Sequence, residues 1–377
     1  MNIVNHLVLE GATSARGLHA LTLTCRNFYN TLFPNLYHNV YLSKSDQILA
    51  FSRTLRQDPD LSKFIRKFCL VLSDSTVYQI AEFQWELLNS VQFQVKVDLQ
   101  EKICDSLDLG GSFPVFAKRI QTLELEWVGA EIQEDVIIQL LGNSQNLQTL
   151  HLSNTPKEDD VTDFLDPENL VPYLSDSLLG RIIPNMPNLK ELRIDSFDIP
   201  TSLFSLLARL PDLETLIVNN TSPIYPLNES LLIKAFSDIK ALKTLDLFGC
   251  LSFPLTPDLL SVLAANLAQS LEHITLPLWN YPSNSPLIDV AAPLSKLRLL
   301  RSLYIPDCSI ENPNLLITAV TLATKCPFLK DFGIVIMVDE GTMKDGEDIE
   351  AGERIERMIR EARPDLKTID VSIVITC

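Results

Sequence analysis

Basic residues are scarce in this 377-residue sequence, which has 31 Lys and Arg against 48 Asp and Glu and a formal net charge of −17. Such a balance repels nucleic-acid phosphates and anionic lipid headgroups. Long apolar runs are also missing, since no stretch approaches the roughly 18 residues that a membrane-spanning helix requires. The composition therefore predicts no nucleic-acid or membrane partner and favours neutral or basic proteins as partners.

Paired cysteines are lacking as well. The seven cysteines are odd in number and scattered, and no two of them form a Cys-x-x-Cys pair. This pattern argues against a disulfide framework and a structural zinc site, and it is typical of proteins in a reducing compartment. The first residues, MNIVNHLVLEGATSARG, lack the basic region and the apolar segment of a secretory signal. We therefore expect a cytoplasmic or nuclear location.

The sequence contains none of the short motifs that commonly mark an active site. The phosphate-binding motifs G-x-x-x-x-G-K-[ST] and G-x-G-x-x-G, the nucleophile motif G-x-S-x-G and the zinc motif H-E-x-x-H are all absent. The five histidines are dispersed, and the acidic segments lack the D-x-D-x-D-G order of a calcium loop. We expect no catalytic residue, metal or cofactor, and hence no enzymatic activity of the chain itself.

What the sequence does contain is a repeated apolar pattern, L-x-x-L-x-L with conservative replacements. Its copies are IQTLEL at 120, LQTLHL at 147, LKELRI at 189, LETLIV at 213, LKTLDL at 242, LEHITL at 271, LRSLYI at 300, LKDFGI at 329 and LKTIDV at 366. The copies that begin at 213, 242, 271, 300 and 329 are equally spaced along the chain. Such regular spacing indicates a chain built from stacked structural units.

The alternation of apolar residues within each copy is typical of a β-strand with one buried face. Three of the segments between copies begin with an N-cap side chain followed by proline, at Thr256-Pro257, Ser285-Pro286 and Asn312-Pro313, which is a helix-start signal. A single strand, turn and helix cannot bury their apolar faces, but stacked units form a continuous core. An α/β solenoid is therefore predicted.

This pattern resembles the leucine-rich-repeat family in its longer, helix-containing form. The resemblance implies a horseshoe-shaped solenoid with parallel strands on its concave face and helices on its convex face. Repeats are predicted over residues 120–377, and residues 43–119 are predicted to be a linking region with a degenerate first repeat. An earlier copy, IRKFCL, begins at residue 65, and another degenerate copy is expected between it and Ile120.

The N-terminal segment 1–42 carries a second resemblance. Residues 18–42, LHALTLTCRNFYNTLFPNLYHNVYL, resemble the second half of an F-box as found in fungal F-box/leucine-rich-repeat proteins. The shared pattern is a leucine-rich helix, a Cys-Arg-x-Phe segment and a short strand. The resemblance implies that this helix binds the small adaptor protein of a cullin–RING (SCF-type) ubiquitin ligase. The adaptor-binding residues that it implies are Leu18, Leu21, Cys25, Phe28, Leu32 and Pro34.

Two alternatives stay open for this segment. The Leu-Pro and acidic residue that open the family's motif are not present before the IVNHL segment, so we expect an F-box that is truncated at its N-terminus. An amphipathic helix at this place is also what a cap over the apolar end of the first repeat requires. In the first case the segment binds the adaptor. In the second case the chain is an interaction scaffold without ligase association.

A target-binding surface is predicted on the strands, where the residues between the buried leucines face outward. In the middle repeats these outward residues include aromatic and apolar side chains within an acidic surround. The residues predicted to bind a target are Glu191, Ile217, Asp246, Phe248, Tyr304 and Asp331. Two acidic insertions, 156–169 and 339–353, directly follow strands and are predicted to be solvated loops. Their charge favours a target protein with a basic surface.

The two resemblances together imply a substrate receptor of a ubiquitin ligase. The N-terminal helix would bind the adaptor while the repeats bind a target protein. The target would thereby be held close to a ubiquitin-loaded enzyme, which raises its effective concentration without any acid or base from this chain. The identity of the target is not specified by any of these residues.

Overall fold

The computed structural model describes residues 39–42, 44–65, 67–72, 92–99, 118, 120–128, 134–142, 144–155, 173–219, 228–248, 250, 256–276, 292–309, 315–339 and 347–376. The chain forms two compact units, residues 1–147 and 148–377. The six predicted adaptor-binding residues and the first acidic insertion lie outside the described residues. The predicted domain boundaries at 42 and 119 follow sequence patterns and stay predictions.

The described part of the first unit contains parallel strands in chain order, each paired with the next. They are β1 (Asn39–Leu42), β2 (Lys67–Leu72), β3 (Gln92–Leu99) and β4 (Ile120–Val128). Helix α1 (Ser45–Gln57) and a 3-10 helix (Pro59–Phe64) connect β1 to β2, and helix α2 (Glu134–Leu141) follows β4. Strand and helix therefore alternate at the start of this unit as a repeat requires.

The second unit continues the alternation, and each of its described strands again pairs in parallel with the next along the chain. Its strands are β5 (Thr149–Thr155), β6 (Glu191–Asp195), β7 (Thr215–Asn219), β8 (Thr244–Asp246), β9 (His273–Thr275), β10 (Ser302–Ser309), β11 (Asp331–Asp339) and β12 (Thr368–Thr376). Its helices are α3 (Asp176–Ile182), α4 (Ser202–Leu207), α5 (Glu229–Asp238), α6 (Pro257–Leu267), α7 (Leu315–Lys325) and α8 (Glu347–Ala362).

The repeat spacing of the sequence is reproduced as strand register. Thr215 pairs with Thr244, Thr244 with His273, His273 with Ser302, and Ser302 with Asp331, so each step across the sheet equals one repeat spacing along the chain. Equivalent positions of successive repeats therefore lie side by side, about 4.8 Å apart as in any parallel sheet. The predicted α/β repeat architecture and the predicted strand positions are confirmed in this unit.

The core of the second unit is made by the leucine positions of the pattern. Strand residues such as Leu216 and Val218 are completely buried, while their neighbours along the strand are partly exposed. Helix residues complete the core from the other side, and Phe204 of α4 contacts Phe236 of α5 with ring centroids 6.0 Å apart. Removing a large apolar side chain from water contributes about 1.5–3 kcal/mol, so stacked repeats stabilise one another.

Three helices of the second unit begin with side-chain caps. The Thr256 hydroxyl oxygen accepts a hydrogen bond from the Leu259 N–H, and Pro257 is the first residue of α6. Asn228 caps α5 and Ser175 caps α3 in the same way, each satisfying one backbone N–H that has no partner within its helix. The predicted helix start at Thr256-Pro257 is confirmed. Those at Ser285-Pro286 and Asn312-Pro313 lie outside the described residues.

Strands also form within residues 43–119, where a degenerate first repeat is predicted. The copy predicted at residue 65 forms β2, and the degenerate copy expected before Ile120 forms β3. Strand β1 lies beside β2 and buries Val40 and Leu42, so the end of the F-box-like segment is itself part of the sheet.

One expectation about the insertions is wrong in part. The acidic insertion 339–353 is predicted to be a loop throughout, but helix α8 begins at Glu347. Ile355 and Ile359 of this helix are buried. Burial of this apolar face stabilises a helix in the second half of the insertion. Cys250, in the turn after β8, is completely buried, with an exposed fraction of 0%.

Candidate functional site

The outward side chains of the second unit form regular rows across its sheet. One row, which we call the central row, runs in strand order through His151, Arg193, Ile217, Asp246, Thr275, Tyr304, Gly333 and Asp370. Adjacent members belong to adjacent strands about 4.8 Å apart, so the row is about 34 Å long. Residues from distant parts of the chain thus share one continuous surface.

An aromatic pair stands on this surface. Phe248 follows directly after β8 and is 39% exposed, and its ring centroid lies 6.3 Å from that of Tyr304 on β10. The two rings are inclined by 54°, a tilted arrangement of the kind that aromatic pairs prefer. The two rings therefore support each other on the outward face of the sheet.

Gly333 provides the space for one edge of the Tyr304 ring. It is the neighbour of Tyr304 in the central row, and a Cβ atom at this position would overlap Tyr304 Cδ2 and Cε2. Any larger residue at 333 would force the ring to move. The orientation of Tyr304 is therefore set by the absence of a side chain on the next strand.

Asp246 places a carboxylate beside this pair. Its Oδ1 accepts a hydrogen bond of 3.0 Å from the Phe248 N–H, and the Thr275 hydroxyl also hydrogen-bonds to the carboxyl group. Burial raises the pKa of the Asp246 carboxyl, and these hydrogen bonds offset only part of that shift. No cation among the described residues forms an ion pair with Asp246, so a positive group placed here from outside would stabilise its charge.

A second cluster on the same face contains a carboxylate whose charge is balanced by neighbouring side chains. Asp195 Oδ2 lies 2.7 Å from His151 Nε2 and 2.6 Å from Arg193 Nε. Burial alone raises the pKa of the Asp195 carboxyl, but the hydrogen bonds from His151 and Arg193 outweigh burial and hold this pKa below its usual range. This cluster rigidifies the β5–β6 part of the face and leaves the negative potential concentrated farther along the central row.

The strands of the second unit carry an acidic excess on their outward side. Among the strand side chains that the structure describes, the outward carboxylates are Glu191, Asp195, Asp246, Asp331 and Asp370, and the outward guanidinium group is that of Arg193. With Asp195 paired to Arg193, the remaining carboxylates have no basic residue among these outward positions to balance them. Exposed basic residues lie one position before five of these strands, at 190, 243, 301, 330 and 367, so the acidic excess is confined to the central row. The central row is complementary to a positively charged group.

The structure brings some of the predicted target-binding residues together and separates others. Asp246, Phe248 and Tyr304 form one site, and Ile217 is the neighbour of Asp246 in the central row. Glu191 and Asp331 lie in the adjacent row, which contains Thr215, Thr244, His273 and Ser302 between them. They contribute charge to the face without joining the aromatic pair. Val335, an outward position by strict alternation, is only 8% exposed.

Gly333 and the Asp195 cluster are the features that sequence reasoning missed. A signal for Gly333 exists, because it lies one repeat spacing after Tyr304 and the two are therefore expected side by side. The sequence does not indicate which way the Tyr304 ring leans. The Asp195 cluster joins outward residues of β5 and β6 that are 44 positions apart, and the long insertion between these strands hides their register.

Asp198, just after β6, gives a testable pH dependence. Its Oδ1 is buried without a hydrogen-bond partner among the described residues, and burial raises the pKa of this carboxyl to about 6. The folded state therefore holds this proton more tightly than the unfolded state, so stability falls as the pH rises from about 4 to above 6. We expect Asp198→Asn to increase the free energy of unfolding by about 1 kcal/mol at pH 7.5, allowing for solvent screening.

Thermal denaturation of both proteins at several pH values measures this effect. The difference should correspond to about 2–4 °C at pH 7.5 and should vanish below about pH 3, where the aspartic acid is neutral in both states. Equal melting temperatures at all pH values would show that the Asp198 carboxyl is not held in an unfavourable environment.

The described residues provide no sign of other kinds of site. Among them, no three His, Cys, Asp or Glu side chains are grouped as metal ligands. None of the helices within the described ranges combines the length and the apolar character that crossing a membrane would require.

The fold is a leucine-rich-repeat solenoid of the α/β type, as the repeated strand–helix units and their parallel register define it. Chains of this class are protein-interaction modules, and the exposed sheet face is the surface on which the described side chains assemble a site. No protein-family model matches the sequence, and no curated protein matches it.

The solved structures that match this chain include a leucine-rich-repeat protein, a yeast complex and an internalin. LegL7 of Legionella pneumophila is 15% identical over 80% of this chain and 91% of its own, with a TM-score of 0.40. The complex of Rad7 and Elc1 in yeast shows 13% identity over 86% of this chain and 87% of the matched chain, with a TM-score of 0.43. An internalin, InlF, of Listeria monocytogenes shows 14% identity over 89% and 93%, with a TM-score of 0.36.

Proposed function

We propose that this chain is a substrate receptor of a cullin–RING (SCF-type) ubiquitin ligase, working in the cytoplasm or the nucleus. It binds a target protein on the exposed sheet face of residues 148–377 and the ligase adaptor through residues 18–34. The observation that carries the target-binding part is the aromatic pair Phe248–Tyr304 beside the Asp246 carboxylate on an acidic face. Aromatic side chains on an exposed face are frequent anchors in protein interfaces.

The adaptor-binding part of the proposal is supported by the F-box-like sequence and by its position in the chain. Pro34, the last residue of the predicted adaptor-binding set, lies shortly before β1. Because β1 pairs with β2 and buries Val40 and Leu42, the F-box-like segment leads directly into the repeats without a long linker.

In this proposal the chain performs no chemistry of its own. Holding a target lysine within reach of a ubiquitin-loaded enzyme replaces a bimolecular encounter by an intramolecular one. The effective concentration gained in this way depends on the length and stiffness of the connection between the two binding sites. Mutations on the sheet face should therefore reduce ubiquitination of one target without reducing the binding of the adaptor.

Binding of purified adaptor to the full 377-residue chain tests the ligase assignment. We expect the wild-type chain to bind and the double variant Leu21→Asp/Phe28→Asp to lose at least tenfold in affinity, since two apolar contacts would be replaced by charges. Tyr304→Ala should bind the adaptor normally and serves as the matched control. Circular dichroism melting of each variant should show that the repeats remain folded.

If the wild-type chain does not bind the adaptor, the ligase assignment is wrong. The second candidate, an interaction scaffold without ligase association, would then hold. The observation that favours this candidate is the burial of Val40 and Leu42 in β1, which is what a capping segment requires. In that case residues 1–42 act as a cap, and the exposed sheet face keeps its role in binding a partner.

A further inference from the structure

We infer that the target is recognised through an arginine side chain, whose guanidinium group packs on the Phe248–Tyr304 pair between the carboxylates of Asp246 and Asp370. This inference rests on the proposed target-binding role of the sheet face and specifies the chemistry of the ligand at that site. The site is formed by the part of the central row that runs from Asp246 on β8 to Asp370 on β12. We call this part the acceptor site.

The carboxylates of Asp246 and Asp370 flank the aromatic pair. Asp246 and Asp370 lie on opposite sides of Tyr304 in the central row, each two strands away, which is about 10 Å. Asp370 is exposed and accepts a hydrogen bond of 2.8 Å from the Ser372 hydroxyl, and its charge acts on Tyr304. The aromatic pair therefore stands in negative potential from both sides.

The Tyr304 ring has a defined orientation on the sheet face. One edge of the ring lies over Gly333, and Gly333 is the direct neighbour of Asp370. The ring thus leans toward the Asp370 carboxylate, while Phe248 and Asp246 occupy its other side. A planar cation that lies on the aromatic pair is therefore within reach of the Asp370 carboxylate.

Arginine fits this arrangement better than lysine does. The guanidinium group is planar, stacks on aromatic rings and can donate two parallel hydrogen bonds to one carboxylate. It is also more weakly hydrated than an ammonium group, so its transfer to a partly apolar surface costs less. Cation–π contact and a charge-assisted hydrogen bond can then be formed by one side chain at the same time.

The open character of the surface indicates that the arginine belongs to a protein. Small ligands are held in concave pockets that bury most of their surface, whereas the acceptor site stands on the outward face of a parallel sheet. A single guanidinium contact on such a face is weak, and neighbouring residues of a longer chain must supply further contacts.

A peptide-display selection on the full chain tests the inference. A random peptide library is selected against the wild-type chain, and the enriched peptides are measured by fluorescence polarisation with each arginine replaced in turn by citrulline or lysine. We expect enriched peptides to contain an arginine whose replacement by citrulline, which keeps the shape and loses the charge, weakens binding at least tenfold. Replacement by lysine should weaken binding about threefold to tenfold.

Variants of the chain show where the arginine of the peptide binds. Tyr304→Ala and Gly333→Ala should each weaken the selected peptide at least tenfold, the second by displacing the ring while leaving every acceptor-site side chain present. Asp246→Asn and Asp370→Asn should weaken it less and should reduce its salt dependence. Phe328→Ala is the matched control, because Phe328 is 61% exposed and lies in the turn before β11, at the opposite end of the strands from Phe248.

The outcomes separate this inference from the proposed function. Peptides that depend on Tyr304 but tolerate citrulline would overturn the arginine assignment and leave the sheet face as the binding surface. A failure to enrich any peptide, or peptides unaffected by Tyr304→Ala and Gly333→Ala, would overturn the acceptor site itself. Neither result bears on adaptor binding, which depends on residues 18–34 and is measured separately.

Discussion

Replacing Phe236 with alanine is expected to lower the free energy of unfolding by about 4 kcal/mol. Phe236 on α5 is completely buried and packs against Phe204 on α4, which is also completely buried. The substitution removes apolar contact area and leaves a cavity between two neighbouring repeats. In a solenoid each repeat is stabilised mainly by its neighbours, so the loss should destabilise both repeats rather than one side chain alone.

Denaturant unfolding followed by circular dichroism measures the loss, with Phe236→Leu as the matched control. The control keeps most of the volume and should cost less than about 1.5 kcal/mol. The double variant with Phe204→Ala should show a coupling between the two sites of about 0.5–1.5 kcal/mol, as expected for an aromatic pair in contact. A loss below about 1 kcal/mol for Phe236→Ala would contradict the packing of α4 on α5.

Replacing Arg363 with alanine is expected to cost about 3 kcal/mol in the last repeats. The Arg363 side chain lies after α8 and donates to backbone carbonyls of the preceding repeat, with Nη1 at 2.9 Å from the Cys326 carbonyl oxygen and Nη2 at 3.0 Å from that of Leu329. Nη1 also donates to the Ala323 carbonyl oxygen in α7. These carbonyls at and beyond the helix end have no partner within the helix.

The guanidinium group of Arg363 is itself buried, with an exposed fraction of 9% for the residue, and Asp365 balances its charge through two hydrogen bonds of 2.8 Å. Its loss would remove a donor from each of these carbonyl oxygens, of which that of Cys326 keeps a hydrogen bond from the Leu329 N–H, and would remove a positive charge from the carbonyl end of α7. Hydrogen exchange measured by mass spectrometry should show faster exchange in residues 315–376 first, because the last repeat is held by this contact.

Arg363→Lys and Asp365→Ala are the controls for this prediction. Lysine keeps the charge but cannot reach carbonyls in three directions with a single ammonium group, so it should recover only part of the stability. The Asp365 side chain is 63% exposed, and its removal should have a much smaller effect. Exchange rates in 315–376 that are unchanged by Arg363→Ala would mean that the guanidinium does not stabilise the end of the solenoid.

The sequence predicts the strands of the second unit well because the spacing of the leucines along the chain determines the register of the strands. A constant step along the chain places Thr215, Thr244, His273, Ser302 and Asp331 side by side, and no tertiary knowledge is needed to see it. Strand β3 is harder to predict, since QFQVKVDL contains few leucines and its spacing to the neighbouring copies is irregular. Its strand identity depends on pairing with β2 and β4.

Half of the candidate site follows from the same spacing. Asp246 and Tyr304 are outward positions of the pattern, so their common face is predictable, whereas the contact of Phe248 with Tyr304 depends on a turn that no periodicity describes. The carbonyl contacts of Arg363 are also invisible in the sequence, where ARPDL resembles several other turns of this chain. Side chains that reach across a repeat boundary need the stacked structure to be recognised.

Photo-crosslinking of a display-selected arginine peptide to the full chain tests the central claim, that partners bind the exposed sheet face. The crosslinking residue p-benzoylphenylalanine replaces Phe248 in one protein and Phe328 in another, two exposed phenylalanines at opposite ends of the strands. We predict a covalent adduct at 248 that is at least tenfold more abundant than at 328 and that is reduced by Tyr304→Ala. An adduct at 328 that equals or exceeds the one at 248 would contradict the assignment of this face.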